Sequence, residues 1–66
     1  MNITLNGDSL NLQLGTSILT LIESKKLKSE KIVIEYNLNI LNKEEWENTV
    51  IKENDEIEIL SFVVGG

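Results

Sequence analysis

Met1-Asn2-Ile3-Thr4-Leu5-Asn6-Gly7-Asp8-Ser9-Leu10-Asn11-Leu12 is the stretch on which the fold of this chain turns. Met1, Ile3 and Leu5 alternate with polar residues, and Leu10, Leu12 and Leu14 resume the alternation on the far side of Asn6-Gly7. A period of two places apolar side chains on one face of a strand. Asn-Gly between two such runs favours a tight turn, because both residues tolerate positive φ. The chain therefore opens with a β-hairpin.

Beyond the hairpin the pattern changes. Gly15 ends the second strand, and Thr16-Ser17 supplies hydroxyls that can cap a helix. Ile18, Leu21 and Ile22 fall at i, i+3 and i+4 on one helical face, and the pattern predicts a helix over Ile18–Lys26. Leu27 to Lys31 reads as a polar connection. Ile32-Val33-Ile34-Glu35-Tyr36 is rich in β-branched residues and reads as a third, central strand. Asn37-Leu38-Asn39 suits a turn, Ile40-Leu41 a short edge strand, and Asn42 a cap on one helical turn through Trp46. Lys52 to Asp55 forms a charged turn before a last strand over Glu56–Phe62.

The order ββαββ with one main helix lets the first and last strands lie side by side in parallel. A ferredoxin-like arrangement would need a second long helix, which Asn42–Trp46 is too short to supply. The expected class is α+β: a β-grasp (ubiquitin-like) fold, a mixed sheet with one main helix packed across it. Residues 1–62 are expected to form this domain, and residues 63–66 a flexible C-terminal tail.

Composition excludes much. At 66 residues the chain is one domain with a thin core, which disfavours a deep enclosed active site. No Cys or His occurs, so there is no thiolate nucleophile, no cysteine zinc site and no near-neutral acid/base group. All six basic residues are Lys and the formal net charge is −5. Such a surface repels a phosphate backbone and attracts a cationic partner, so nucleic-acid binding is not expected. No apolar run approaches the roughly 20 residues of a membrane span, and Met1–Leu5 lacks the features of a signal peptide. The expected location is cytoplasmic.

No residue set forms a catalytic or metal constellation. Glu44, Glu45, Glu47, Glu53, Asp55, Glu56 and Glu58 lie in turns or at alternating strand positions and read as a solvated acidic surface, available collectively as a docking face. Gly7 and Gly15 belong to no phosphate-binding pattern. Trp46 is expected to cover the open end of the core beside Val50 and Ile51. On the last strand, Ile57 and Ile59 facing the core would put Glu56, Glu58, Leu60 and Phe62 on the opposite face. Leu60 and Phe62 would then be exposed as a partner-binding patch; the alternatives are Phe62 folded over the core edge, or a bulge.

The chain closes on Val63-Val64-Gly65-Gly66. Two residues without Cβ make a thin segment that can thread a narrow channel, and no side chain crowds the terminal carbonyl. Gly66 is therefore the candidate site of modification, with Gly65 and Val64 as its tail.

These features together resemble the thiamin-biosynthesis sulfur carriers of the ubiquitin-like sulfur-carrier superfamily. The resemblance spans the whole chain. It rests on the first strand ending in Asn6, Gly15 with Ser17-Ile18 and Leu21-Ile22, Asn37, Glu44-Glu45-Trp46, Asn54-Asp55-Glu56-Ile57, and Gly65-Gly66. The chain departs from the family pattern at Leu38, where Gly is frequent, at Asn42-Lys43, where Pro-Arg is frequent, and at Asn54, where Gly is common. The resemblance implies a carrier that binds no cofactor and is itself no enzyme. An E1-like adenylyltransferase would use Mg-ATP to adenylate Gly66. Sulfur from a cysteine desulfurase or other persulfide donor would give a thiocarboxylate, and thiazole synthase would receive that sulfur. A molybdopterin synthase small subunit, a carrier for tRNA thiolation, and a non-carrier β-grasp interaction module remain as alternatives.

Overall fold

The computed structural model describes residues 1–62. Strands β1 (Asn2–Leu5) and β2 (Asp8–Asn11) form the expected hairpin, with Asn6 at φ 50° and Gly7 at φ 85°. Positive φ at both central residues is the backbone that Asn-Gly accepts most readily. Helix α1 (Ile18–Ser24) comes next, then β3 (Ile32–Tyr36), β4 (Asn39–Leu41) and β5 (Glu56–Ser61). Single 3-10 turns occupy Ser29–Lys31 and Lys43–Glu45.

The five strands form one sheet in the order β2-β1-β5-β3-β4. β5 lies parallel to β1, with Leu5 opposite Ile57, and antiparallel to β3, with Ile34 opposite Ile59. β3, expected as a central strand, is interior, paired with β5 on one edge and β4 on the other, while β5 takes the middle position between β1 and β3. The chain's last described strand is thus also its most enclosed.

Helix α1 starts at Ser17, whose hydroxyl accepts a hydrogen bond from the Thr20 N–H at 3.1 Å. It stops two residues short of the expected Lys26. Lys26 turns to φ 57°, its N–H bonds the Glu23 carbonyl, and the Leu27 N–H reaches the Ile22 carbonyl. That bond pair is a Schellman ending, built on Lys where Gly is usual.

Ile18, Leu21 and Ile22 pack with Ile3, Ile32, Ile34, Ile51, Ile57 and Trp46 to make the core, all on one side of the sheet. Trp46 is buried beside Ile51 as expected, and its indole N–H bonds the Leu41 carbonyl at 3.2 Å. Two expected apolar positions are not in the core. Leu14 is exposed because its strand ends at Asn11, so the alternation no longer sets its direction. Val50 is about half-exposed. It makes a bridge to Ser17, and its neighbours Thr49 and Ile51 bond the backbone of residues 16–18, so pairing to the helix start turns Ile51 inward and Val50 outward.

Candidate functional site

Strand alternation on β5 sends Ile57 and Ile59 toward the core and Glu56, Glu58 and Leu60 to the outer face. Phe62 continues with the same parity; its N–H bonds the Lys31 carbonyl at 3.0 Å, and its ring is exposed rather than folded over the core. Leu60 and Phe62 are 47% and 43% exposed. Leu38 and Ile40, from the adjoining β3–β4 turn and β4, are more exposed still. The face uncovered by α1 therefore carries large apolar side chains in water.

The same face is acidic. Glu35 and Glu58 are directly opposite one another in the β3–β5 pairing, and Glu56 lies two residues along on the same side. Like charges at directly opposed positions oppose folding by about 0.2–1 kcal/mol. None of the six lysines lies in any of the five strands. A shallow cleft of about 130 Å³ opens here, lined by Thr4, Gly7, Glu35, Leu38, Glu56 and Glu58. It is too small and too open to enclose a substrate, and suits contact with a larger molecule.

Leu38 is strained. It sits at φ 73° beside Asn37 at φ 50°, and left-handed backbone costs a residue with a side chain roughly 1–2 kcal/mol. An exposed leucine thus stands in an unfavourable conformation on this face.

Asp55 corrects the sequence reading. Expected in the solvated surface, it is buried at 8% exposure, and three donors converge on its carboxylate. The Tyr36 hydroxyl and the Lys52 N–H, at 2.7 Å, reach Oδ2; the Asn37 side-chain amide, at 3.2 Å, reaches Oδ1. Burial pushes the Asp55 pKa up, and the hydrogen bonds from Tyr36, Lys52 and Asn37 outweigh it, holding the carboxyl below its usual range. Burial, then the bond to Asp55 and its charge, push the Tyr36 hydroxyl up to about 12.

Two asparagines hold β5 from either side. The Asn6 side chain accepts from the Ile59 N–H at 2.7 Å and donates to the Ile59 carbonyl at 3.3 Å. Asn37 donates its N–H to the Glu56 carbonyl at 2.7 Å and accepts from the Glu56 N–H, through Oδ1, at 2.8 Å. Turn propensity alone reveals neither role. The candidate modification residues Gly66, Gly65 and Val64 lie outside the described residues. Among the described residues no group of His, Cys, Asp or Glu is arranged to hold a metal, and no helix is long and apolar enough to cross a membrane.

A mixed sheet with parallel β1 and β5, hairpins outside them and one helix across the core face defines a β-grasp, ubiquitin-like protein. The chain belongs to the ThiS family, whose model matches residues 3–66. Its structure is similar to the crystal structure of the thiamine biosynthesis protein ThiS from Geobacter metallireducens, with a TM-score of 0.86, 29% identity and complete coverage of both chains. The solution structure of a thiamine biosynthesis protein from the same organism matches with a TM-score of 0.79 and 28% identity, covering 100% of this chain and 88% of that one. A thiazole synthase of Magnetococcus marinus is 32% identical over all 66 residues. The chain spans 20% of the length of that relative, and likewise of a 27% identical thiazole synthase from Paramagnetospirillum magneticum.

Proposed function

We propose that this chain is a cytoplasmic sulfur carrier of thiamin biosynthesis, a protein co-substrate modified at the Gly66 carboxylate by partner enzymes. The observation that carries the reading is membership of the ThiS family across residues 3–66, a span that includes Gly65-Gly66. An E1-like adenylyltransferase with Mg-ATP supplies activation: a Gly66 oxygen attacks the α-phosphorus, pyrophosphate leaves, and an acyl-adenylate forms. The terminal sulfur of a persulfide, made by a cysteine desulfurase or another donor, then displaces AMP at the carbonyl. A thiol cleaves the remaining S–S bond and leaves the thiocarboxylate. Thiazole synthase is the proposed acceptor, a destination supported by relatives of that name that contain a region similar to this chain.

In this reading Leu60 and Phe62 dock the partners, with Leu38 and Ile40 extending the patch and Glu35, Glu56 and Glu58 attracting a basic rim. The patch is apolar, outside the core and adjoins the residues leading to Gly66. The experiment is sulfur transfer to thiazole synthase in a reconstituted system containing adenylyltransferase, Mg-ATP and a persulfide donor. The wild-type chain is expected to support thiazole formation. Leu60→Glu is expected to keep a normal melting curve yet slow transfer by roughly tenfold or more, the loss of a central interface contact. No thiazole with the wild-type chain would sink the carrier reading, whereas unchanged transfer by Leu60→Glu would sink only the docking assignment.

A further inference from the structure

Of the eight asparagines in the chain, Asn6 alone precedes glycine. The residue after an asparagine decides how easily its backbone nitrogen attacks the side-chain carbonyl, and glycine puts no side chain in the way. Space around Gly7 is open: a Cβ built there would meet nothing within 4 Å. Asn6 itself is exposed. Sequence and local geometry thus make it the most vulnerable amide in the molecule.

The fold restrains that amide. Asn6 gives its backbone N–H to the Ile57 carbonyl at 2.9 Å, and its side chain then brackets Ile59 through both Oδ1 and Nδ2. The side chain continues the β1–β5 pairing one step beyond the end of β1, across 53 residues of sequence. While those bonds stand, both ends of the Asn6 amide are engaged by the Ile59 backbone.

We propose that Asn6 is a site of spontaneous deamidation gated by its own bonds to β5, and that its conversion loosens β5. When the bracket opens, the Gly7 nitrogen, deprotonated by base, attacks Asn6 Cγ. A new N–Cγ bond forms, the Cγ–Nδ2 bond breaks, and ammonia leaves, giving a succinimide. Water opens the ring at either carbonyl to give aspartate or isoaspartate. Aspartate still accepts from the Ile59 N–H, but sets a carboxylate oxygen against the Ile59 carbonyl where an N–H stood. Isoaspartate also inserts a methylene into the backbone of a turn that depends on Asn6 at φ 50°. Either product weakens the hold on β5. The proposal stands independently of the carrier reading.

The test incubates the intact protein at mildly alkaline pH, below its melting temperature and in parallel in urea, and tracks deamidation by peptide mass and isoaspartate assay. Asn6 is expected to react first in urea and at least about tenfold more slowly in the native protein, because attack waits on local opening. Equal rates in the two conditions, or another asparagine reacting first in urea, would overturn the gated site. The second arm reads Ile59 amide hydrogen exchange in Asn6→Asp or, should that variant not fold, in the deamidated fraction purified from wild type. Exchange is expected to quicken by roughly tenfold; an unchanged rate would overturn the loosening of β5.

Discussion

Asp55→Ala is expected to destabilise the protein by about 3 kcal/mol, since leaving buried donors without an acceptor costs about 1–3 kcal/mol and bonds to a charged group are the stronger kind. The substitution orphans the Tyr36 hydroxyl, the Lys52 N–H and the Asn37 amide together. These come from the end of β3, the turn after it and the approach to β5, so the carboxylate ties the two longest strands at one corner. A domain of this length has a total stability of roughly 3–10 kcal/mol at ~0.05–0.15 kcal/mol per residue, so the loss is a large share of it. Urea unfolding monitored through the single, buried Trp46 measures it directly. An unchanged midpoint would mean that water replaces all three bonds.

The same group contributes to the loss of stability in acid. The folded pKa of Asp55 is depressed, so its contribution is fully present above the unfolded carboxyl value of about 3.9 and is lost as pH falls through the lower folded value. Tyr36 works in the opposite sense. Its folded pKa is raised to about 12, so its contribution is intact below the unfolded value of about 10 and is lost between there and the folded value. Asp55→Ala is therefore expected to flatten the stability profile at both ends, since removing the carboxylate also removes a cause of the Tyr36 shift.

Ile57→Ala is expected to cost about 3–4 kcal/mol, within the range for truncating a fully buried aliphatic side chain. Ile57 is 1% exposed, sits opposite Leu5 on β1 and Tyr36 on β3, and belongs to the core under α1. Strands hold it on both sides, so the sheet cannot collapse into the space left behind. Denaturant titration should show a midpoint far below wild type, or a chain largely unfolded in buffer. A loss below about 1 kcal/mol would mean that the core repacks around a smaller residue, contrary to a β5 held rigidly between its neighbours.

The fold was largely legible because its elements announce themselves locally. Asn6-Gly7 marks the hairpin, Ile18, Leu21 and Ile22 mark the helix face, and the alternation from Glu56 onward sorts core from surface. Apolar exposure at Leu60 and Phe62 is a consequence of that alternation and is seen in the structure. The features that escaped depend on partners distant in sequence. That β5, flanked by β1 and β3, takes the middle of the sheet is a matter of strand order, which no local period encodes. Asp55 looks like one more acidic turn residue until Tyr36 and Asn37, 19 and 18 positions away, are brought onto it. Asn6 and Asn37 show turn propensity in sequence, while their grip on β5 is a tertiary property. The helix ended early because Lys26 took the left-handed position that sequence rules reserve mainly for glycine.

Whether Gly66 carries sulfur is decided by the intact mass of the protein after incubation with an E1-like adenylyltransferase, Mg-ATP, a cysteine desulfurase, cysteine and a thiol reductant. A sulfur carrier gains the mass of one oxygen replaced by sulfur, mapped to the C-terminal peptide and absent when Gly66 is deleted. An unaltered mass with several such activating enzymes, or an equal gain in the Gly66-deleted chain, would contradict that role.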